Sequence, residues 1–201
     1  MCHMLYLVSS DPLPTIYQNS KYPQLTVKAV PEDYRVPSKI RELIPQAKYI
    51  YNIHPNDLCG CYFEYEKNDE REANLNDYIN DLQWDKKLSD WLYKTHGSIE
   101  IFKQKQFSFW QECRDAVTSF GCYLHDCIHL TKSLMLYMTW CGDEGKPIIE
   151  RKIISPSSFS GESCYPWSKD TLYTIRTEKV ILMHRIVRAI NSYLTNNKFS
   201  A

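Results

Sequence analysis

Two thiols separated by a single glycine, Cys59-Gly60-Cys61, are the most compact set of reactive groups in the sequence. Thiolates attack electrophiles and bind metals, and glycine lets the backbone approach a bound group closely. On an extended strand, residues two apart point to the same face. The pair therefore predicts a shared metal, a redox couple or a pocket wall. The alternative is that both thiols fill a tight corner of a sheet, since free cysteine is among the most buried residue types.

Cys2 and His54 extend this candidate site. Cys2 opens a predicted strand, and we expect it to lie beside Cys59 and Cys61 with the three sulfurs in one pocket. His54 comes five residues before Cys59 and is a candidate base for a cysteine nucleophile. Removal of Met1 would also make Cys2 an N-terminal nucleophile, as in one class of hydrolases. Burial of Cys2 within its strand is the alternative.

An acidic loop follows a second apolar strand. Trp140 ends that strand, and Asp143 and Glu144 stand between Gly142 and Gly145. Loops at strand ends often hold functional groups. We expect Trp140, Asp143 and Glu144 to contact a ligand, with the carboxylates binding a cation or acting as a general base near the thiols. The alternative is a solvated acidic turn.

A polar stripe marks one face of a predicted helix. Its members recur at intervals of 3, 4, 3 and 4: Asp115, Thr118, Cys122, His125 and His129. Residues at these intervals are neighbours on a helix. Cys122, His125 and His129 have the side chains of a three-ligand zinc site. The H-x-x-x-H pair lacks the glutamate of a zinc protease, and a half-exposed polar face is the alternative.

Hydrophobic periodicity predicts the elements that position these groups. Short apolar or alternating runs predict strands at 4–8, 25–30, 47–53, 61–65, 133–140, 148–154 and 172–176. Helical spacing predicts helices within 75–82 and 85–97, over about 107–130, and from about 177 onward. The longest helix should face the sheet with an apolar stripe of Trp110, Cys113, Val117, Phe120, Leu124 and Ile128.

The order of these elements predicts the fold class. Strands come first, then helices, then strands, then a helix, which favours an α+β fold with helices packed on a mostly antiparallel central sheet. A length of 201 residues suits a single domain over 1–201, with a helical insertion at about 70–130 and a C-terminal helix.

Composition narrows the function classes. Lys plus Arg and Asp plus Glu number 24 each, so no global charge favours nucleic acid or an anionic membrane. No run approaches the about 20 apolar residues of a membrane span, and the first residues lack the pattern of a secretory signal. We expect a cytoplasmic protein whose eight cysteines stay mostly reduced. The sequence predicts no oligomeric state.

Several motifs together resemble a family of small uncharacterised bacterial proteins. The resemblance rests on the Met1-Cys2 strand start, Asp11-Pro12-Leu13-Pro14, the Cys59-Gly60-Cys61 element with Phe63, and Trp140-x-Gly142-Asp143 with Pro147. These motifs follow in the same order in that family. The resemblance implies a shared fold and a shared site, and it implies no reaction.

Two function classes follow from the sequence. The first is a module that binds a small ligand, a metal such as zinc, or a protein partner at the pocket around Cys59, Cys61 and the Trp140 loop. The second is a cysteine-dependent hydrolase or transferase with Cys59 or Cys61 as nucleophile and His54 as base. Binding ranks first because the order and spacing of residues complete no catalytic set.

Overall fold

A computed structural model describes residues 3–17, 19–55, 60–63, 68–159, 168, 170–183 and 185–187. The strands are β1 (His3–Ser9), β2 (Ile16–Tyr17), β3 (Leu25–Ala29), β4 (Tyr49–Pro55), β5 (Leu134–Trp140), β6 (Glu150–Ile154) and β7 (Thr171–Ile175). The helices are α1 (Arg35–Leu43), α2 (Asn68–Trp84), α3 (Lys86–His96) and α4 (Ile99–Cys127). Two 3₁₀ segments are also present: Gly60–Phe63 lies between β4 and α2, and Pro156–Ser158 lies between β6 and β7. The backbone is helical again at 178–183 and 185–187.

The strands form one seven-stranded sheet in the order β2-β3-β4-β1-β5-β7-β6. Each neighbouring pair is antiparallel except β6 and β7, which are parallel. β1 is central and pairs with β4 on one side and β5 on the other, with Tyr6 opposite both Asn52 and Tyr137. The predicted α+β class with a mostly antiparallel sheet is confirmed.

The two faces of the sheet are covered differently. The second half of α4 packs on one face, where Val117, Phe120 and Leu124 are fully buried against the strands. On the other face, α1 covers Tyr6 and Val8 with Ile40 and Ile44. Burial of both faces explains why the central strands read as almost continuous apolar runs rather than alternating ones.

The predicted helical insertion exists and builds a third, smaller core. α2 and α3 pack with the first half of α4 around a cluster of Leu75, Ile79, Leu82, Leu92 and Phe102. Asp85 and Ser98 start α3 and α4, because their side chains accept hydrogen bonds from backbone N–H groups of the first turn. α4 therefore begins eight residues before the predicted start at about 107.

Two further sequence predictions need correction. Residues 60–63 form a 3₁₀ segment rather than the start of a strand over 61–65, because Gly60 packs directly on the backbone of β1. An apolar run this short has no period that separates a strand from another buried segment. Trp110 packs on the α2–α3 cluster rather than on the sheet.

Within the part of the chain described here, no helix combines the length and apolarity needed to cross a membrane.

Candidate functional site

Gly60, the central residue of the Cys-Gly-Cys element, lies against the first residue of β1. A Cβ on Gly60 would sit 2.8 Å from the His3 carbonyl oxygen, so only glycine allows this approach. The strand that follows Cys2 pairs antiparallel with the strand that precedes Cys59, so both chain segments reach the same end of the sheet. Cys2, Cys59 and the side chain of Cys61 lie outside the described part of the chain. Their shared pocket stays a prediction.

His54 lies on the other side of the sheet from the 3₁₀ segment. Phe63 of that segment is fully buried in the core beneath α4, with its ring 5.6 Å from that of Phe120. Ile53 belongs to the same core, so the alternation along β4 turns His54 to the α1 side. His54 is half-buried and pairs across the ladder with Thr26. The structure therefore does not bring His54 and the segment of Cys61 to one face.

The acidic loop after β5 is held by its own carboxylates. Glu144 is buried, and its Oε1 accepts the Tyr6 hydroxyl at 3.1 Å. The Gly142 N–H donates to both of its oxygens, at 3.1 and 3.3 Å. Burial, followed by the nearby Glu144 carboxylate, raises the pKa of Tyr6 far above its usual range. Tyr6 therefore stays protonated and donates to Glu144 at every ordinary pH.

Asp143 and Trp140 are also engaged within the fold. Asp143 Oδ2 pairs with Lys146 Nζ at 2.7 Å, and the Trp140 ring lies 3.9 Å from that of His3 across the β1–β5 pair. These contacts make the predicted ligand loop a closed turn fixed to the central strands. Contact of Trp140, Asp143 and Glu144 with a ligand stays a prediction.

The predicted zinc trio does not assemble. The ring centroids of His125 and His129 are 6.3 Å apart with nearly perpendicular planes. α4 ends at Cys127, so His129 leaves the helical spacing that joined it to Cys122 and His125. Among the described residues, no group of three or more His, Cys, Asp or Glu side chains is placed to hold a metal.

Three members of the polar stripe, Thr118, Cys122 and His125, line a groove instead. A cavity of about 600 Å³ runs between α4, the loop before β3 and the 3₁₀ segment Pro156–Ser158. Its lining residues come from all three: Lys21, Thr118, Gly121, Cys122, His125, Asp126, Pro156, Ser157 and Phe159. Pockets of about 300–1,000 Å³ are typical of small-molecule sites.

Gly121 fixes one wall of this groove. A Cβ at this position would lie 2.6 Å from the Phe159 carbonyl oxygen and 3.0 Å from that of Pro156. The glycine therefore lets the Pro156–Phe159 backbone lie directly on α4. The buried rings of Phe159 and Phe120, with centroids 5.0 Å apart, hold the segment there. This wall is therefore formed by backbone packed directly on backbone.

The opposite wall carries a network of charges centred on Asp126. Its Oδ2 accepts the Tyr22 hydroxyl at 2.6 Å and pairs with Lys21 Nζ at 2.7 Å. These hydrogen bonds, that of Lys21 first, lower the pKa of Asp126 to about 2. Asn19 positions both partners, because its side-chain oxygen accepts the N–H groups of Lys21 and Tyr22. Asp126 is thus a carboxylate held ionised at the rim of the groove.

The sequence predicted three of the nine residues that line this groove. The helical stripe identified Thr118, Cys122 and His125 as sharing a face, and all three line the cavity. Lys21 and the Pro156–Phe159 segment were missed because they reach the helix only through tertiary contacts. The local signal for Lys21 was Asn19, a residue type that commonly accepts backbone hydrogen bonds in turns.

Comparison with known proteins adds no relative. The chain matches no protein-family model, no curated protein and no solved structure. The resemblance to the small bacterial family therefore stays a prediction, and the function must be argued from the groove.

Proposed function

We propose that this protein is a small-ligand binding module whose binding site is the groove between α4, Lys21 and the Pro156–Phe159 segment. The observation that carries the proposal is the cavity of about 600 Å³, walled by three elements that separate contacts fix to one another. Tyr22 and Asp126 attach the first wall to α4, and Gly121 seats the second. A groove already formed before binding loses little ordering entropy on binding.

The lining favours a small organic molecule over the other partners that the sequence allowed. A metal lacks a set of ligands among the described side chains. The groove also combines an apolar part, formed by Pro156, Phe159 and the Gly121 backbone, with convergent polar groups on α4. Small-molecule sites have this mixture of apolar lining and a few placed polar groups.

Selective protection of one thiol tests the proposal. Cys122 lines the groove and Cys141 lies outside it, and both are exposed. A library of small polar organic compounds is screened for slower iodoacetamide modification of Cys122, with each cysteine followed by peptide mass spectrometry. A groove ligand slows Cys122 and leaves Cys141 unchanged. Compounds that bind by ligand-observed NMR yet never protect Cys122 would overturn the assignment of the groove.

The proposal includes a cytoplasmic location, as the sequence predicts. Cys122, Cys127 and Cys141 carry thiols that form no disulfide. Free thiols that persist in a folded protein suit a reducing compartment. Fractionation of cells that express the tagged chain tests this part separately from ligand binding.

A further inference from the structure

We infer that the groove selects a small organic cation, an amine with a short apolar group, and that Asp126 receives its ammonium. The inference rests on the proposed function and names the class of ligand.

The hydroxyl protons at the groove are committed to internal partners. Thr118 Oγ1 donates to the Arg114 carbonyl at 3.0 Å. Ser157 Oγ donates to a Glu178 carboxylate oxygen, so the short contact of 2.5 Å with Ser155 must be donated by Ser155. A hydroxyl has one proton and two lone pairs. Both Thr118 and Ser157 therefore offer only acceptors to a ligand.

Asp126 gives the groove a negatively charged acceptor. Its Oδ2 is occupied by Tyr22 and Lys21, whereas Oδ1 lies 3.6 Å from His125 Nδ1, an ion pair only while that histidine is protonated. Oδ1 can accept from a ligand while Oδ2 keeps its partners. A groove that presents a carboxylate and hydroxyl acceptors matches a ligand rich in N–H donors, and charge-assisted hydrogen bonds are the stronger ones.

Lys21 opposes this ligand. Its ammonium lies 2.7 Å from the same carboxylate and is 67% exposed. A bound amine therefore shares Asp126 with a like charge. Removal of the lysine should strengthen binding, which is the opposite of what an anionic ligand would require.

Three matched probes test the charge preference. Benzylammonium, benzyl alcohol and benzoate share one aromatic group, chosen to match the apolar part of the groove, and differ in charge. Each is titrated into the full chain, and the amide NMR shifts of Gly121, Cys122 and Ser157 are followed. We expect benzylammonium to bind at millimolar concentration, benzyl alcohol more weakly, and benzoate weakest.

Variants identify the carboxylate. Asp126→Asn keeps the acceptor for Tyr22 and should weaken benzylammonium by about tenfold or more, the size typical of a lost charged hydrogen bond. Lys21→Met should tighten it by about two- to fivefold. The Lys152–Glu150 pair has a similar separation of 2.9 Å and lies on β6, away from the groove, so Lys152→Met and Glu150→Gln are matched controls. Neither control should change the affinity.

The possible failures are distinguishable. Equal binding of the three probes, preference for benzoate, or an unchanged affinity in Asp126→Asn overturns the cation inference and leaves the groove as a binding site. Absence of any shift at the groove with all three probes also overturns the inference. The proposed function is then judged by the Cys122 protection screen, which assumes no ligand charge.

Discussion

At the scale of single residues, the described cysteines divide sharply by environment. Cys113 and Cys127 are 5% and 1% exposed, whereas Cys122 and Cys141 are exposed. Burial raises the pKa of the Cys127 thiol to about 11. The thiolate is the reactive form, so burial and a raised pKa both suppress modification.

The first prediction concerns the order of thiol modification. In native protein at neutral pH, iodoacetamide should modify Cys122 and Cys141 well before Cys113 and Cys127, as peptide mass spectrometry would show. In urea-unfolded protein the four rates should become similar, which provides the control. Early modification of Cys127 in native protein would contradict the burial of the inner face of α4.

Glu144 has a hydrogen-bond partner that residue type alone could not predict. The sequence predicts a carboxylate that binds a cation or acts as a base, because it stands between glycines after a strand. In the fold it is 7% exposed and accepts from Tyr6, a residue 138 positions away. No local sequence pattern predicts a hydrogen-bond donor that far away along the chain.

The second prediction is that Tyr6→Phe destabilises the protein by about 1–3 kcal/mol, since it leaves a buried carboxylate without one donor. Urea unfolding measures the change. Tyr17→Phe is the control, because Tyr17 is 67% exposed and its substitution should have little effect. A Tyr6→Phe variant as stable as the control would mean that Glu144 is not held by this bond.

At the scale of elements, prediction from sequence succeeded where an apolar or alternating run of five or more residues is bounded by turn residues. The strands predicted at 25–30 and 133–140 match Leu25–Ala29 and Leu134–Trp140 within one residue at each end. It missed β2, which has only two residues and forms by pairing with β3. It also assigned the whole apolar stripe of α4 to the sheet. In the structure, the 29 residues of α4 contribute to two different cores, the sheet core and the helical cluster.

The third prediction separates those two cores. Phe120→Ala should cost about 3–5 kcal/mol because Phe120 is fully buried beneath the sheet. Trp110→Ala should cost less, because Trp110 is only half-buried on the helical cluster. Urea unfolding followed by circular dichroism measures both. His125→Ala, at a site 74% exposed, is the control and should barely change stability. Equal losses for Phe120 and Trp110 would contradict this arrangement.

The fourth prediction concerns the helical insertion. α2 and α3 bury only a small cluster against the first half of α4, in which Ile79 and Phe102 take part, and they leave Trp84 89% exposed. Few buried contacts allow local opening at a lower free energy than global unfolding. Hydrogen exchange should therefore be faster in α3 than in β1 and β5. Equal protection would mean that the insertion and the sheet open together.

At the scale of the whole molecule, buried tyrosines link the fold to alkaline pH. Burial is the largest cause that raises the pKa of Tyr6, Tyr51, Tyr123 and Tyr137. Tyr6 and Tyr123 also donate hydrogen bonds, to Glu144 and to the Pro14 carbonyl. These residues come from β1, β4, α4 and β5, so both faces of the sheet depend on neutral phenols.

The fifth prediction follows from the sign of this linkage. Above a pH of about 10 the unfolded chain loses phenolic protons that the native protein keeps, so the unfolded state binds fewer protons. The contribution of the buried tyrosines to the free energy of unfolding should therefore be constant below about pH 9. It should fall as pH rises further, by up to about 1.4 kcal/mol per pH unit for each such tyrosine. Urea unfolding at a series of alkaline pH values measures the slope of the free energy of unfolding against pH.

Tyr6→Phe and Tyr123→Phe should each make this slope shallower, whereas Tyr17→Phe removes an exposed phenol and should leave it unchanged. A slope that is the same in all four proteins would show that the buried phenols ionise as readily in the fold as in the unfolded chain.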